Sequence, residues 1–236
     1  MTSGRRSALI VGVLLIVATA ASLVSSSLLG MLGNADFLGD IDASAGQVLA
    51  GAVMAMLAAF TSVGIAMALY PVLRPHSPGL ALGAVGMRAV EAAMYLVAAM
   101  GPILLVTLSR EHATAAQPFD ETLGTVLKAL HDQAGVVGAL AFYLGAGMCY
   151  VVLYRTRLIP RWLSDWGLLG VAMGFVAGTL VVLGVVDAFS PLMVALNLPI
   201  LVQELVMAVW LLLRGFDSGA TPSWKVDPKE AGHVAV

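Results

Sequence analysis

Charged residues are scarce in this chain. Only 11% of its 236 residues are charged, 60% are hydrophobic, and the mean hydropathy is +0.95. These values lie far outside the range of soluble globular proteins. The net charge of −2, with basic residues spread over separate loops, also excludes a surface for nucleic acid. The composition therefore predicts an integral membrane protein whose principal partner is the lipid bilayer.

Cysteine and histidine are scarce as well. Cys149 is the only cysteine, so no disulfide can form within the chain and no pair of cysteines can bind a metal. The chain has four histidines, but it contains no zinc-protease motif, no serine-hydrolase motif and no paired histidines for haem. We expect no metal site, find no indication of a cofactor, and favour binding or transport over enzymatic activity.

Long apolar segments are abundant, and six of them reach the roughly 20 residues that a helix needs to cross a bilayer. They comprise residues 8–32, 47–70, 80–108, 124–154, 167–188 and 191–213. They predict an all-α, polytopic membrane protein with a six-transmembrane-helix bundle at residues 1–216. The polar, glycine-containing tail at 217–236 is predicted to be flexible. A signal peptide cleaved near Ala20 is the less favoured alternative for the first segment, because its apolar run continues to Leu32.

Basic residues are concentrated on one side of these segments. Lysine and arginine resist translocation, so the side that carries them is expected to face the cytoplasm. That side carries Arg5, Arg6, Arg74, Arg155, Arg157, Arg161, Arg214, Lys225 and Lys229. The opposite side carries Asp36, Asp40, Asp42, Glu111, Asp120, Glu121 and Asp187. Both termini are therefore predicted to be cytoplasmic.

Glycines recur at helical spacing in the fifth segment. In the run "GLLGVAMGFVAG", Gly170, Gly174 and Gly178 follow one another at intervals of four residues and share a helix face, with Gly167 close by. Such a face permits close contact between helices in a membrane. We expect it to pack against a neighbouring helix of the same chain, and a homo-oligomer formed through it is the alternative.

Two apolar segments carry charged residues deep in the membrane. At about 1.5 Å of rise per residue, Arg88 and Glu91 lie roughly 12 and 16 Å from the cytoplasmic surface, and Glu204 lies roughly 14 Å from it. Each charge costs about 2.5–3.5 kcal/mol at such a depth, so these side chains should face the bundle interior. Arg88 is predicted to bridge two carboxylates from different helices, because its planar guanidinium offers several donors.

Other polar residues extend this layer. Tyr95 follows Glu91 by one turn, and Asn197 precedes Glu204 by seven residues on a common helix face, whereas Gln203 is turned by about 100°. Thr61 and Tyr143 reach a similar depth. The predicted ligand-binding or proton site comprises Arg88, Glu91, Glu204, Asn197, Gln203, Tyr95 and Tyr143.

Two further features lie near this layer. His131 and Asp132, near the outer end of the fourth segment, are either solvated interfacial residues or an outer gate. Pro102 and Pro199 are predicted to kink their helices, and Pro102 should free the carbonyl group of Ala98. Interrupted helices beside buried charges are typical of transporter binding sites.

Three runs of the sequence are similar to a known family. They are "LALGAVGMRAVEAA", "LYRTRLIPRWLSDWGLLG" and "NLPILVQELVMAVWLLLRGF". Together they resemble the bacterial integral-membrane family known as domain of unknown function 4386, from the first helix to Phe216. The resemblance implies a six-helix protein of the bacterial inner (cytoplasmic) membrane, with Arg88, Glu91, Gln203 and Glu204 at motif positions. It implies no particular activity.

Three functions fit these observations. Two acids beside one base leave either a surplus negative charge or a protonated glutamate, which favours a site that binds or transports a small molecule or proton. A scaffold or sensor subunit, in which the Arg/Glu cluster only fastens helices together, is the first alternative. An intramembrane enzyme acting on a lipidic substrate is the second. A polar cavity that reaches Glu91 or Glu204 would distinguish the first and third functions from the scaffold.

Overall fold

The protein is all-α in the part that the computed structural model describes, residues 3–34, 37–115, 118–187 and 190–217. Beyond Asp217, the tail predicted to be flexible lies outside the described residues. The helices are α1 (Ser3–Leu28), a short 3-10 helix (Gly30–Gly33), α2 (Phe37–Ala43), α3 (Ala45–Leu73), α4 (Pro78–Ala115), α5 (Pro118–Thr156), α6 (Arg161–Val182) and α7 (Pro191–Leu213).

Six of these helices, all except the 3-10 helix and α2, are long and apolar enough to cross a membrane. This confirms the predicted polytopic bundle. Helices adjacent in the series α1, α3, α4, α5, α6 and α7 pack against each other, and α7 returns to α1. The spanning helices therefore form a closed ring, and α1 is one of its members.

Opposite charges mark the two ends of the bundle, and these ends are named accordingly below. The basic end carries Arg5, Arg74, Arg157, Arg161 and Arg214. The acidic end carries Asp40, Asp42, Glu111, Glu121 and Asp187.

Helices α4 and α5 extend further towards the acidic end than the apolar segments predict. They contain 38 and 39 residues, or about 57 Å each, against a hydrocarbon core of about 30 Å. The polar turns after residue 108 and before residue 124 contain no proline except Pro118, which begins α5, so nothing interrupts either helix earlier.

Helix α2 packs against this extension of α4 and was not predicted. Its Leu38 and Ile41 are buried in a cluster with Leu105 and Leu108, and the hydroxyl of Ser109 donates a hydrogen bond to the carbonyl of Leu38. The short helix is therefore held at the acidic end by both apolar and polar contacts.

The basic half of the bundle is filled by apolar side chains. Five helices contribute leucines that are almost completely inaccessible to solvent: Leu15, Leu73, Leu153, Leu163 and Leu211. Arg5 of α1 closes this end of α7 by donating hydrogen bonds to the carbonyls of Leu211 (3.2 Å) and Leu212 (2.7 Å). These carbonyls belong to the last turn of the helix, and that of Leu211 also accepts a hydrogen bond from the backbone N–H of Gly215 at 3.1 Å.

The glycines of α6 pack closely against other helices of the same chain. A Cβ atom at Gly170 would lie 3.0 Å from the backbone of Ile200 on α7, and one at Gly167 would lie 2.7 Å from the ring of Tyr150 on α5. At Gly174 a Cβ atom would overlap the ring of Tyr143. The close packing expected of this face thus serves α5 and α7.

Candidate functional site

The centre of the site is a buried ion pair between Arg88 and Glu91 on α4. The guanidinium of Arg88 lies 3.3 Å from Oε2 of Glu91, and both side chains are less than a tenth exposed. Ser62 of α3 connects them: its hydroxyl donates to Oε1 of Glu91 at 2.8 Å and accepts from Arg88 at 3.0 Å. Three polar groups on two neighbouring helices therefore satisfy one another inside the bundle.

The second carboxylate is held more loosely. Oε1 of Glu204 on α7 lies 3.8 Å from the guanidinium of Arg88, which is beyond hydrogen-bonding distance but within range of strong electrostatic attraction. Its side chain is 16% exposed, compared with 4% for Glu91. The two glutamates thus differ, and Glu204 is the more accessible.

An aromatic ring covers the guanidinium of Arg88. The ring of Phe142 on α5 lies with its centroid 4.5 Å from Cζ of Arg88, a cation–π arrangement. The ring of Tyr143 packs edge-on against Phe142, with 5.2 Å between the centroids. Arg88 is therefore held by α3, α4, α5 and α7 together.

A cavity of about 380 Å³ adjoins the cluster, and we call it the core cavity. Arg88, Glu91 and Glu204 line it together with apolar side chains such as Leu15, Ile65 and Ile200. Its other polar lining residues are Thr19, Ser22, Ser26, Ser62, Tyr95, Tyr143 and Asn197. Ser22 and Ser26 contribute hydroxyl groups to this lining from within a membrane-spanning helix.

Asn197 and Tyr143 form a link across the core cavity. The hydroxyl of Tyr143 on α5 donates a hydrogen bond to the side-chain oxygen of Asn197 on α7, whose amide donates to the carbonyl of Met193 at 2.8 Å. Tyr95 of α4 also lines the cavity, and a Cβ atom at Gly138 of α5 would lie 2.7 Å from its ring. These contacts fix the positions of the polar groups that face the cavity.

Gln203 is placed differently from the other predicted site residues. It is fully buried, accepts a hydrogen bond from the hydroxyl of Tyr150 at 2.6 Å and donates to the carbonyl of Leu163 at 3.1 Å. It does not line the core cavity. Gln203 therefore joins α5, α6 and α7.

Thr61 makes no polar contact with the cluster, because its hydroxyl donates to the carbonyls of Leu57 and Ala58 on its own helix.

Two further cavities lie between the core cavity and the acidic end. A middle cavity of about 370 Å³ shares Ser22, Tyr95 and Asn197 with the core cavity. A mouth cavity of about 750 Å³ shares Ser25, Ser26, His131 and Asp132 with the middle one and reaches Asp187. Because adjoining cavities have lining residues in common, the three cavities lie in series between the acidic end and the ion cluster.

His131 and Asp132 lie where the middle and mouth cavities meet. The ring of His131 is bonded through Nδ1 to the carbonyl of Ala98 at 2.8 Å, and this is the carbonyl that Pro102 cannot engage. A carbonyl only accepts, so Nδ1 carries the proton. Asp132 pairs with Lys128 at 2.8 Å. Both side chains thus have partners that hold them where the two cavities adjoin.

Several residues of the site were not singled out from the sequence. Ser62 and Phe142 touch Arg88, and Ser22 and Ser26 line the route to it. The only sequence signal for the two serines is their spacing of four in an otherwise apolar helix. Ser62 and Phe142 carry no such signal. In the described part of the chain, no three His, Cys, Asp or Glu side chains form a group suited to a metal ion.

The fold and the site define a class: a polytopic α-helical membrane protein with a buried ion cluster beside an internal cavity. Residues 10–215 match the family described as "Domain of unknown function (DUF4386)". The match covers most of the chain, so the protein belongs to this family. Comparisons with curated proteins and with solved structures gave no match.

Proposed function

We propose that this protein binds or transports a small molecule or a proton at the cluster of Arg88, Glu91 and Glu204. One observation carries the proposal: the series of cavities that leads from the acidic end to these residues. A structural clasp, meaning an ion cluster that only fastens helices together, needs no such route. It is most stable when every polar group is buried and hydrogen-bonded.

The packing of the basic half of the bundle supports access to the ion cluster from the acidic end only. This half of the bundle is packed with leucines. Among the described residues, two cavities at the basic end, beside Tyr70 and beside Trp210, share no lining residue with the core cavity. A site reached from one face and closed to the other is one of the two states that alternating-access transport requires. By the distribution of arginine and lysine, the basic end faces the cytoplasm of a bacterial cell and the acidic end faces the opposite side of the inner membrane.

The alternative function, a scaffold or sensor subunit, also has a specific observation in its favour. Arg88, Glu91 and Ser62 are buried and mutually bonded, as a clasp between α3 and α4 would be. A clasp accounts for Glu91. It does not account for Glu204, which lies further from Arg88 and is open to the cavity.

The experiment that tests the proposal is chemical labelling of single cysteines on α1. In a Cys149→Ala background, Ser22→Cys should react with a charged, membrane-impermeant thiol reagent applied from the acidic side. Val24→Cys is the matched control, because Val24 lies within one turn on the same helix, is 46% exposed and lines none of the three cavities. Equal and negligible labelling of both positions would refute a water-accessible site.

A further inference from the structure

The charges that line the core cavity do not balance. Arg88 contributes one positive charge, and Glu91 and Glu204 contribute one negative charge each when ionised. The nearest lysine or arginine along the series of cavities, Lys128, lines only the mouth cavity and is paired with Asp132. With both glutamates ionised, the core cavity is therefore one positive charge short of neutrality.

The position of Arg88 argues against an anionic ligand. Its guanidinium is engaged by Glu91 and Ser62 and covered by the ring of Phe142. An anion would have to displace one of these contacts and would also approach two carboxylates. A ligand at Glu204 displaces no such contact, because the ionic contact of Glu204 with Arg88 is 3.8 Å long and its side chain is partly exposed to the cavity.

The size and lining of the core cavity indicate a ligand larger than an inorganic ion. Its volume of about 380 Å³ falls within the range of about 300–1,000 Å³ that is usual for small-molecule sites. Apolar side chains, among them Leu15, Ile65 and Ile200, lie close to the carboxylates. The rings of Tyr95 and Tyr143 also face it, and aromatic rings attract organic cations.

From this geometry we infer that the ligand is a small organic cation, an ammonium group with apolar substituents, whose positive charge lies against Glu204. The inference rests on the proposed function and specifies its ligand class. The apolar substituents contact the leucine and isoleucine side chains, and the tyrosine rings flank the charge. Glu91 keeps Arg88 in place and is a positioning residue in this scheme.

Binding of three probes to the purified full-length protein tests the inference. Benzyltrimethylammonium carries a fixed positive charge, neopentylbenzene is its neutral carbon isostere, and phenylacetate is an anion of similar size. Isothermal titration calorimetry in detergent should show binding of benzyltrimethylammonium at least tenfold tighter than binding of the other two. Glu204→Gln should weaken that binding about tenfold or more, because it removes the counter-charge without changing the shape of the side chain.

The matched control is Glu121→Gln, which removes one acid from the exposed acidic end and should leave binding unchanged. Circular dichroism and a monodisperse gel-filtration peak establish that each variant is folded. Equal affinity for the charged and neutral probes, preference for phenylacetate, an unaffected Glu204→Gln variant, or no binding of any probe would each overturn the inference. The Ser22→Cys labelling is independent of probe charge, so the proposed function can survive that result.

Discussion

Ser62 of α3 and Glu91 of α4 are joined by a hydrogen bond of 2.8 Å at the centre of the bundle. The same serine accepts a hydrogen bond from Arg88, so a single hydroxyl satisfies both members of the ion pair. It is also the only polar contact that the cluster makes with α3 among the described residues.

The first prediction follows from this contact. Ser62→Ala should lower the free energy of unfolding by about 1–3 kcal/mol, because it removes the hydrogen bonds of 2.8 and 3.0 Å and leaves only the longer contacts of 3.3 and 3.5 Å between Arg88 and Glu91. Thr61→Ala is the matched control: its hydroxyl bonds only to its own helix, and a smaller loss is expected. Thermal unfolding in one detergent compares the variants. A Ser62→Ala protein as stable as the wild type would contradict the role assigned to the hydroxyl.

Arg88 should tolerate replacement less well than Glu91. Arg88→Leu leaves two carboxylates facing each other without a cation, and breaking a buried pair in this way costs about 3–5 kcal/mol. Glu91→Gln keeps the shape and hydrogen-bonding capacity of the side chain and should cost less. Folded yield and unfolding temperature measure both. The buried bridge would be refuted by an Arg88→Leu variant with wild-type stability.

The topology can be tested with two positions at opposite ends. Asp40→Cys and Gly79→Cys, each in a Cys149→Ala background, should react with an impermeant thiol reagent from opposite faces of the membrane. Both positions are exposed, and a Cβ atom at Gly79 would meet nothing within 4 Å. Reaction of both from the same face would exclude the six-helix arrangement, in which α3 lies between them.

The packing of α6 against α5 gives a prediction about the cavity wall. Gly174→Ala should displace the ring of Tyr143, because the new methyl group would overlap it. We expect a loss of about 1–3 kcal/mol, the usual cost of overpacking. Gly86→Ala, where a Cβ atom meets nothing within 4 Å, should be neutral or stabilising. Equal unfolding temperatures for the two variants would show that Tyr143 moves aside without cost.

The sequence was sufficient to predict the six spanning helices, because lipid imposes a minimum length and an apolar composition on each. It was less informative beyond the membrane. The polar turns that lengthen α4 and α5 resemble loops in hydropathy, although their backbone continues as helix. Helix α2 has only 7 residues, and its two buried side chains become recognisable only through their contact with α4.

The candidate site was also predictable from the sequence only in part. The depths of Arg88, Glu91 and Glu204, and the faces they share, follow from the fixed rise and period of a helix. Which of Thr61 and Ser62 contacts the cluster does not follow from rise and period, because it depends on the rotation of α3 about its axis. That rotation is set by packing, which the sequence of α3 alone does not contain. Phe142 was missed for the same reason.

The ion pair also has a consequence for how the chain is made. Arg88 and Glu91 belong to one helix, and Ser62 belongs to the helix that the ribosome makes just before it. The charges that enter the bilayer first are therefore neutralised by neighbours already present, which lowers the cost of inserting α4. Glu204 arrives with the last helix and meets a cation that is already in place. A nascent chain that stops before α7 contains the balanced pair alone, and the negative charge of the finished core is added in the final step of synthesis.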